Sequence, residues 1–406
     1  MSSQPAFASL AQGGFLLYAA SRFFSAAGYT LQQVVISWQV YEISGSPLAL
    51  GFIGLARFIP ALAAAMVGGA IADTRDRRTV LMLAQLAPFA VSAVLLFQTM
   101  SGSINLPVVY LLVVVLGLAS SFENPARQAL LPQLVSRETF AGAVTMLSTV
   151  GQFAFVLGPA IGGWTLAGPG PAGTYAVHLA IQAAAILSIA VLPVKHEAVR
   201  ATGGLRIALV KEGLQFVRDR PVLLGVMGLD MFAVIFAGAQ ALLPIYARDI
   251  LDAGPEGYGW LTSSQAVGGM AVAITMLLPP PVRHTGRVLL FCVLVFGAGT
   301  IVFGLSRWFP LSLAAYAITG AADQVGVVMR STTIQLITPD ALRGRVSSVN
   351  MVFIGASNQL GALESGLVAS VTNATFAVVT GGAGCLAALG IIWAKVPDLW
   401  RYDTRD

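Results

Sequence analysis

The chain has 406 residues, of which 56% are hydrophobic and only 10% are charged, and its formal net charge is +5. A soluble domain carries roughly 25% charged residues, so this composition excludes an ordinary soluble globular protein and indicates that lipid solvates much of the surface. Because the basic residues lie between apolar runs, we assign the net charge to membrane topology and not to nucleic-acid binding.

Twelve apolar runs are long enough to cross a bilayer as a helix, which takes roughly 17–25 residues. Runs of this length without alternation of polar and apolar residues predict helices and not the strands of a barrel. The predicted spans are Phe15–Val40, Ala49–Ala72, Thr79–Gln98, Leu106–Ser121, Phe140–Leu166, Tyr175–Leu192, Val222–Tyr246, Tyr258–Leu278, Val288–Leu305, Phe309–Val328, Val346–Val371 and Phe376–Ala394.

One long polar stretch, Pro193–Arg220, lies between the sixth and seventh spans. We therefore predict an N-terminal six-helix bundle (residues 1–194), a cytoplasmic linker (195–220) and a C-terminal six-helix bundle with a short cytoplasmic tail (221–406). Within the linker, apolar residues recur with helical spacing, which predicts an amphipathic helix at the membrane surface.

Positive charge marks one side of the predicted membrane protein. Seventeen of the 23 Lys and Arg residues fall in the loops after even-numbered spans, in the linker or in the tail, whereas the opposite loops hold only Arg248 and Arg307. Because cytoplasmic loops are enriched in Lys and Arg, both termini are expected to be cytoplasmic.

The two halves share a repeated segment, residues 133–144 and 335–346, at an offset of 202 residues. Each copy predicts a helix start, with a Ser or Thr as N-cap and with Glu138 or Asp340 in the first turn. A repeat of six spans is typical of transporters in which two bundles rock about a site near the bilayer midplane.

Four motifs carry a resemblance to a known family: Gly69–Arg78 at the end of span 2, Glu123–Pro132 at the end of helix 4, Gly158–Gly163 in span 5 and Gln335–Ser347 at the start of span 11. On these motifs the chain resembles the major facilitator superfamily over its whole length. Within it, the chain is similar to the bacterial branch that includes the enterobactin exporter and macrolide efflux proteins. The resemblance implies an all-α membrane protein with twelve transmembrane helices in two pseudo-symmetric six-helix bundles.

The chain departs from the family pattern at three positions. Thr74 and Asp76 stand where Arg and Gly are usual in the loop motif, and Ala154 replaces an earlier glycine of the span 5 motif. The last departure weakens the inference of antiport from that motif.

The loop after span 2 is interpreted as half of a conformational latch. Gly69 lets a neighbouring helix approach closely, and Asp73 presents a carboxylate to a helix N-terminus, which the resemblance places at the start of span 11. A simple topology loop would explain the paired arginines but not Gly69 and Asp73. The predicted latch residues are Gly69, Asp73, Arg77, Arg78, Asp340, Arg343 and Arg345.

Small residues give span 5 a kink and a smooth face. The motif residues are Gly158, Pro159, Gly162 and Gly163. Tight helix packing explains them, and the resemblance adds a role in sealing leaks in exporters. Both interpretations stay open.

Five charged side chains fall inside the spans, at Arg22, Arg57, Asp230, Asp323 and Glu364. Charges at membrane depth are costly, so each is a candidate functional residue. A buried carboxyl group becomes neutral by taking up a proton, so Asp230 and Glu364 are the candidates for proton coupling. Arg22 is at a depth similar to that of Asp230 and is its candidate partner, although a static ion pair is the alternative.

Other polar residues of the spans are candidates for the substrate cavity and its gate. Arg57 near mid-membrane is suited to an anionic substrate, and Gln32 and Gln33 of span 1 join Arg22 as cavity candidates because an amide facing lipid would be unsatisfied. Glu123 and Arg127, four residues apart on helix 4 just beyond the predicted span, predict a local ion pair or gating pair.

The combined pattern predicts a secondary active exporter of a lipophilic or aromatic small molecule, siderophore-like or drug-like, driven by proton antiport. Its expected partners are this substrate, protons and membrane lipids, and it is expected to be a monomer in the bacterial inner membrane. No nucleotide-binding motif, nucleophile–base set or metal-ligand spacing is present in the sequence, so no enzymatic activity, cofactor or metal is expected. The alternatives are a proton-coupled importer of a small polar nutrient and a non-transporting membrane sensor or scaffold.

Overall fold

The computed structural model describes residues 14–74, 76–193, 207–276, 284–340 and 342–402, with their side chains except those of 65–74, 207–211 and 401, and within this part it contains helices and no strand. The helices are α1 (Phe15–Ser44), α2 (Pro47–Thr74), α3 (Arg77–Met100), α4 (Leu106–Leu134), α5 (Phe140–Ala167), α6 (Gly170–Ala190), α7 (Ile207–Arg218), α8 (Pro221–Phe236), α9 (Leu243–Ile245), α10 (Gly254–Thr275), α11 (Thr285–Leu305), α12 (Phe309–Ile337), α13 (Arg343–Val371), α14 (Ala374–Lys395) and α15 (Pro397–Arg401).

The chain divides into two compact units. The first comprises Met1–Ser44 and Ala56–Gly204, and the second comprises Gly45–Leu55 and Leu205–Asp406. The first residues of α2 therefore group with the second unit. The predicted domain boundaries at residues 194 and 220 rest on the sequence and stay a prediction.

The same helix pairing occurs in both units. In the first unit α1 packs against α5 and α6, and α3 packs against α4 and α6. In the second unit α8 packs against α13 and α14, and α11 packs against α12 and α14. The described helices confirm the predicted all-α membrane fold with two pseudo-symmetric bundles, and they are consistent with the predicted twelve transmembrane helices.

Equivalent apolar cores lie inside the two units. In the first, Phe15 and Tyr18 of α1 are buried with Leu81 of α3 and Leu130 of α4. In the second, residues of α8, α11 and α12 are buried together around Leu229. Because lipid is as apolar as these side chains, close packing and not the hydrophobic effect holds such cores together.

Nine of the helices in the described part of the chain are long and apolar enough to cross a membrane by length and composition alone. The other long helices, α1, α10 and α13, hold more polar or small side chains. Such helices belong in a bundle interior, since polar groups facing lipid would be unsatisfied.

The prediction that Glu138 and Asp340 lie in the first turn of a helix is wrong. α5 begins at Phe140 and α13 begins at Arg343, so both acidic residues precede their helices. In the first copy of the repeat, the backbone N–H of Thr139 donates to the carbonyl three residues earlier at 3.2 Å, which closes a turn where a helix was expected.

The seventh span is interrupted and not straight. α8 ends at Phe236, and a 3-10 helix (Ala239–Leu242), α9 and a π-helical turn (Tyr246–Ile250) follow. Pro244 is the second residue of α9, and its missing N–H cannot continue an α-helical ladder from the residues before it. A discontinuous helix leaves backbone polar groups inside the bundle, as membrane proteins tolerate where protein or a cavity surrounds them.

Helix α7 lies within the predicted linker and packs against the start of α13. Val217 is buried with Val346 in one apolar cluster. A Cβ at Gly213 would lie 2.9 Å from the carbonyl oxygen of Arg345, so the two backbones touch. This contact fixes α7 to the second unit.

The glycine motif of α5 packs against α1. A Cβ at Gly158 would lie 2.6 Å from the carbonyl oxygen of Ala27 and would overlap the Thr30 hydroxyl group. A Cβ at Gly162 would lie 3.1 Å from the side chain of Val34. The motif residues Gly158, Pro159, Gly162 and Gly163 are all buried. Close packing thus accounts for the smooth face, and leak sealing stays a prediction.

We expect Gly158→Ala to lower the thermal unfolding midpoint of the purified protein, because overpacking costs about 1–3 kcal/mol. Gly151 of the same helix is the matched control, since a Cβ there meets nothing within 4 Å. Gly151→Ala should leave the midpoint unchanged or raise it, since Ala favours a helix over Gly by about 1 kcal/mol. Equal midpoints for the two variants would contradict the close contact between α1 and α5.

Candidate functional site

Charged side chains of the spans gather into one cluster in each unit. The α1–α4 cluster of the first unit comprises Tyr18, Arg22, Ser25, Glu123 and Arg127. The α8–α12 cluster of the second unit comprises Asp230, Asp323 and Arg330. Each cluster thus joins the first helix of its own bundle, α1 or α8, to the fourth, α4 or α12.

Glu123 and Arg127 form an ion pair one turn apart on α4. The guanidinium Nη2 lies 2.7 Å from Glu123 Oε1, and the Ser25 hydroxyl donates to the same oxygen at 2.8 Å. The Tyr18 hydroxyl donates to the backbone carbonyl of Arg127 at 2.7 Å. With Arg127 only 3% exposed, this network fastens α4 to α1.

Arg22 lies near the same network without joining it. Its guanidinium is half-buried and close enough to Arg127, Tyr18 and Glu123 to interact with them electrostatically. It makes no ion pair or hydrogen bond with any residue that the structure describes. The α1–α4 cluster therefore contains two guanidinium groups and a single carboxylate.

Asp230 pairs with Arg330 of α12, a partner that the sequence did not reveal. We predicted Arg22 as its partner because both residues are at a similar depth. Arg330 is only 4% exposed. An ion pair within one bundle satisfies both buried charges, which explains the difference.

Asp323 shares a cavity with Asp230; the sequence analysis counted it among the candidate charged residues but assigned it no specific role. The cavity is also lined by Cys292 of α11. Tyr316 is close enough to Asp323 for the two side chains to interact electrostatically. Asp323 has neither an ion pair nor a hydrogen bond with the described residues. Its spacing of seven from Arg330, which puts both on one face of α12, is the signal that would have revealed it.

Glu364 lies beside the interruption of the seventh span. Its carboxylate accepts a hydrogen bond from the Ser365 hydroxyl at 3.5 Å, and that hydroxyl also lies 3.3 Å from the Gly238 carbonyl oxygen. Gly238 immediately precedes the 3-10 helix. A change of charge on Glu364 would therefore act on the part of the span where backbone hydrogen bonding is irregular.

Arg57, Gln33 and Tyr29 form a polar group in the first unit. The Arg57 guanidinium lies 4.3 Å from the centre of the Tyr29 ring, and Gln33 Nε2 donates to the Tyr29 hydroxyl at 3.0 Å. The Arg57 guanidinium is thus held by an aromatic face, which leaves its hydrogen-bond donors for a ligand.

Gln32 does not belong with these cavity candidates. It is 2% exposed, and its amide donates to the Ser92 hydroxyl at 2.8 Å and to the Pro88 carbonyl at 3.2 Å, both on α3. Neighbouring residues of a helix point about 100° apart, so Gln32 and Gln33 cannot share one face. The prediction placed both in the cavity, and for Gln32 the contacts contradict it.

The predicted latch falls partly outside the described side chains. Gly69 and Asp73 belong to the backbone of α2, but their side-chain surroundings lie outside the description. Arg77 donates to the Ala129 carbonyl at 2.8 Å and Arg78 donates to the Ala190 carbonyl. These two arginines therefore bind the C-terminal ends of α4 and α6, where the helix dipole favours a cation.

Asp76 is the N-cap of α3, which explains its departure from the family pattern. Its carboxylate accepts hydrogen bonds from the backbone N–H of Arg78 at 3.3 Å and of Thr79 at 3.1 Å. An Asp before the first helical residue is a common capping signal that the sequence reading overlooked.

The second half of the predicted latch makes two ion pairs near the start of α13. Arg343 lies 2.7 Å from Asp340, and both are largely exposed. Arg345 pairs with Glu212 of α7. The linker helix is thus a partner of this segment, which the sequence did not indicate.

Comparison with known proteins gives a consistent family. A family model described as transmembrane secretion effector matches residues 4–404. The multidrug efflux pump Tap of Mycolicibacterium fortuitum is 27% identical over 97% of this chain and 98% of its own length. The enterobactin exporter EntS of Shigella boydii serotype 4 is 27% identical over 89% of this chain and 86% of its own length. A solved bacterial homologue of the iron transporter ferroportin has the same fold, with a TM-score of 0.74 at 13% identity over 94% of this chain and 98% of that one.

The buried ion pair of the second unit predicts a specific pattern of stability. Asp230→Asn and Arg330→Gln should each destabilise the protein by about 3–5 kcal/mol, because each leaves one buried charge unpaired. The double variant should be more stable than either single variant. Thermal or denaturant unfolding in detergent measures this, with Asp340→Asn as the control because exposed pairs contribute about 0–1 kcal/mol. Simple additivity of the two single effects would contradict the pairing.

Proposed function

Because the chain belongs to the transmembrane secretion effector family of the major facilitator superfamily, we propose that it exports a lipophilic or aromatic small molecule by alternating access. The family match over residues 4–404 carries the proposal, and it confirms the resemblance read from the motifs. Membership of this family makes the chain a multi-pass membrane transporter of small molecules.

The proposed substrate is drug-like or siderophore-like. Support comes from relatives named as a multidrug efflux pump and as an enterobactin exporter. We propose that the protein is a monomer in the bacterial inner membrane, and the positive charge in the loops of one side supports cytoplasmic termini. Anionic lipid head groups are its proposed partners on that side.

Proton antiport is the proposed source of energy, and acidic groups of the second unit are its proposed carriers. Asp230 takes up a proton only by giving up Arg330, so protonation there would loosen α8 from α12. Asp323 has no cation to give up and is the readier acceptor. Glu364, next to the interruption of the seventh span, is the third candidate.

The latch remains part of the proposal. Asp73 would stabilise one conformation through a helix dipole at the start of α13, an interaction of about 0.3–2 kcal/mol. A bias of this size is suited to two states of nearly equal free energy. Arg77 and Arg78 support it indirectly, because their contacts hold α3 to α4 and α6.

Everted membrane vesicles test the coupling. With a pH gradient imposed, addition of a transported substrate should release protons from vesicles that contain the wild-type protein. Asp323→Asn should reduce this release to the level of vesicles without the protein, and Glu364→Gln should lower it. Glu138→Gln is the matched control, because Glu138 is an exposed acid outside the helices. Normal proton release by Asp323→Asn would overturn its role, and substrate leaving the everted vesicles would identify an importer.

A charge-neutral substitution tests the latch. We expect Asp73→Asn to slow export by about two- to tenfold without changing substrate affinity, because a shift of about 1.4 kcal/mol changes a population tenfold. Asp76→Asn removes an equal charge three residues away while Asn still caps α3, so it should leave the rate unchanged. Equal rates for the two variants would count against the latch.

A further inference from the structure

The α1–α4 cluster carries unbalanced positive charge. Its single carboxylate, Glu123, already accepts hydrogen bonds from Arg127 and Ser25. Arg22 adds a second guanidinium group without a second acid. Since charge at membrane depth is normally paired, this excess needs an anion from outside the bundle.

Arg127 also has hydrogen-bond donors to spare. Its side chain is 4% exposed, and only Nη2 reaches Glu123. Nε and Nη1 are buried and have no acceptor among the described residues. Buried guanidinium donors without acceptors are unfavourable, so a ligand oxygen placed there would replace missing hydrogen bonds as well as missing charge.

The α8–α12 cluster has the opposite balance. It holds two carboxylates, Asp230 and Asp323, and a single guanidinium at Arg330. An anion would be repelled there, whereas a proton would be accepted. Arg330, like Arg127, has a buried Nε without an acceptor among the described residues, so the charge balance alone makes the cluster on α1 and α4 the better one for an anion.

We propose that Arg22 and Arg127 bind an anionic oxygen group of the transported molecule, such as a carboxylate or an ionised phenol. Phe23 and Phe24, the next residues of α1, are half-buried with ring centres 5.6 Å apart, so the same stretch of α1 is also rich in aromatic surface. The substrate class is then an aromatic or lipophilic anion. This inference rests on the proposed export function and narrows its substrate.

Two matched dyes test the site. 1-Anilinonaphthalene-8-sulfonate and N-phenyl-1-naphthylamine share one aromatic skeleton, and only the first carries an anionic group. Binding is measured to the full-length protein in phosphatidylcholine nanodiscs, with empty nanodiscs subtracted. The wild type should bind the anionic dye about tenfold or more tightly than the neutral one, since a hydrogen bond to a charged group contributes about this factor.

Variants of Arg22 assign the preference to the cluster. Arg22→Gln should remove most of the preference and leave affinity for the neutral dye unchanged, and Arg22→Lys should retain part of it. Arg248→Gln, which removes an exposed guanidinium of the second unit, should change neither affinity. A wild type that binds the anionic dye no better than the neutral one overturns the inference. So does an Arg22→Gln variant with unchanged preference.

Two further measurements separate an anionic substrate site from a lipid-binding site and from a failure of the export function. If added phosphatidylglycerol abolishes the preference, the cluster binds lipid head groups and the substrate assignment is overturned. In everted vesicles with a pH gradient, export is measured as uptake of dye. If the wild type takes up ethidium, a cationic aromatic dye, but neither binds nor moves the anionic dye, the anion site alone is overturned. Absence of proton-driven transport of all three dyes, with the anionic preference intact, counts against the export function and supports the site.

Discussion

The cost of charge inside a membrane governs this molecule, and two buried arginines show how it is met. Arg127 on α4 and Arg330 on α12 lie 203 residues apart on equivalent helices, and neither is more than 4% exposed. Each finds a carboxylate within its own unit, Glu123 for the first and Asp230 for the second. Without these acids each arginine would be an unpaired buried charge, a defect of several kcal/mol.

The two pairs differ in what they make possible. Glu123 is one turn from Arg127 on the same helix, so their pair persists whatever neighbouring helices do. Asp230 and Arg330 join two helices, so neutralising the acid would free α8 from α12. The first pair thus fixes an electrostatic field near Arg22, whereas the second is able to convert a proton into a change of packing.

Much of the fold was predictable because lipid imposes a simple rule on length and composition. The hydropathy rule gave the wrong end for a helix that contains an internal ion pair. The fourth span was predicted to stop at Ser121, yet α4 continues to Leu134 and includes the ion pair between Glu123 and Arg127. Hydropathy alone ends a span at the first charged residues, even where the helix continues through them.

Partners were the least predictable part of the site. The choice of Arg330 over Arg22 for Asp230 depends on which helices pack together, which no single span specifies. Gln32 is similar, because one residue of helical rotation separates the α3 interface from the face that Gln33 occupies. The sequence predicted the depth of each side chain in the membrane, but not the direction in which it points from its helix. Asp323 and Arg330 show which part of this information a sequence does contain. Residues seven apart in a helix lie on the same face, whatever the tertiary structure.

The sign of the substrate's charge decides how the proposed exchange is driven. Exchange of one inward proton for one outward cation moves no net charge, so only the pH gradient drives it. Exchange of one proton for one outward monoanion moves two positive charge equivalents inward. The membrane potential then adds about 2.3 kcal/mol per charge per 100 mV to the driving force. A cationic cluster on α1 and α4, opposite in sign to the acidic cluster on α8 and α12, would therefore select the class of substrate whose export the membrane potential assists.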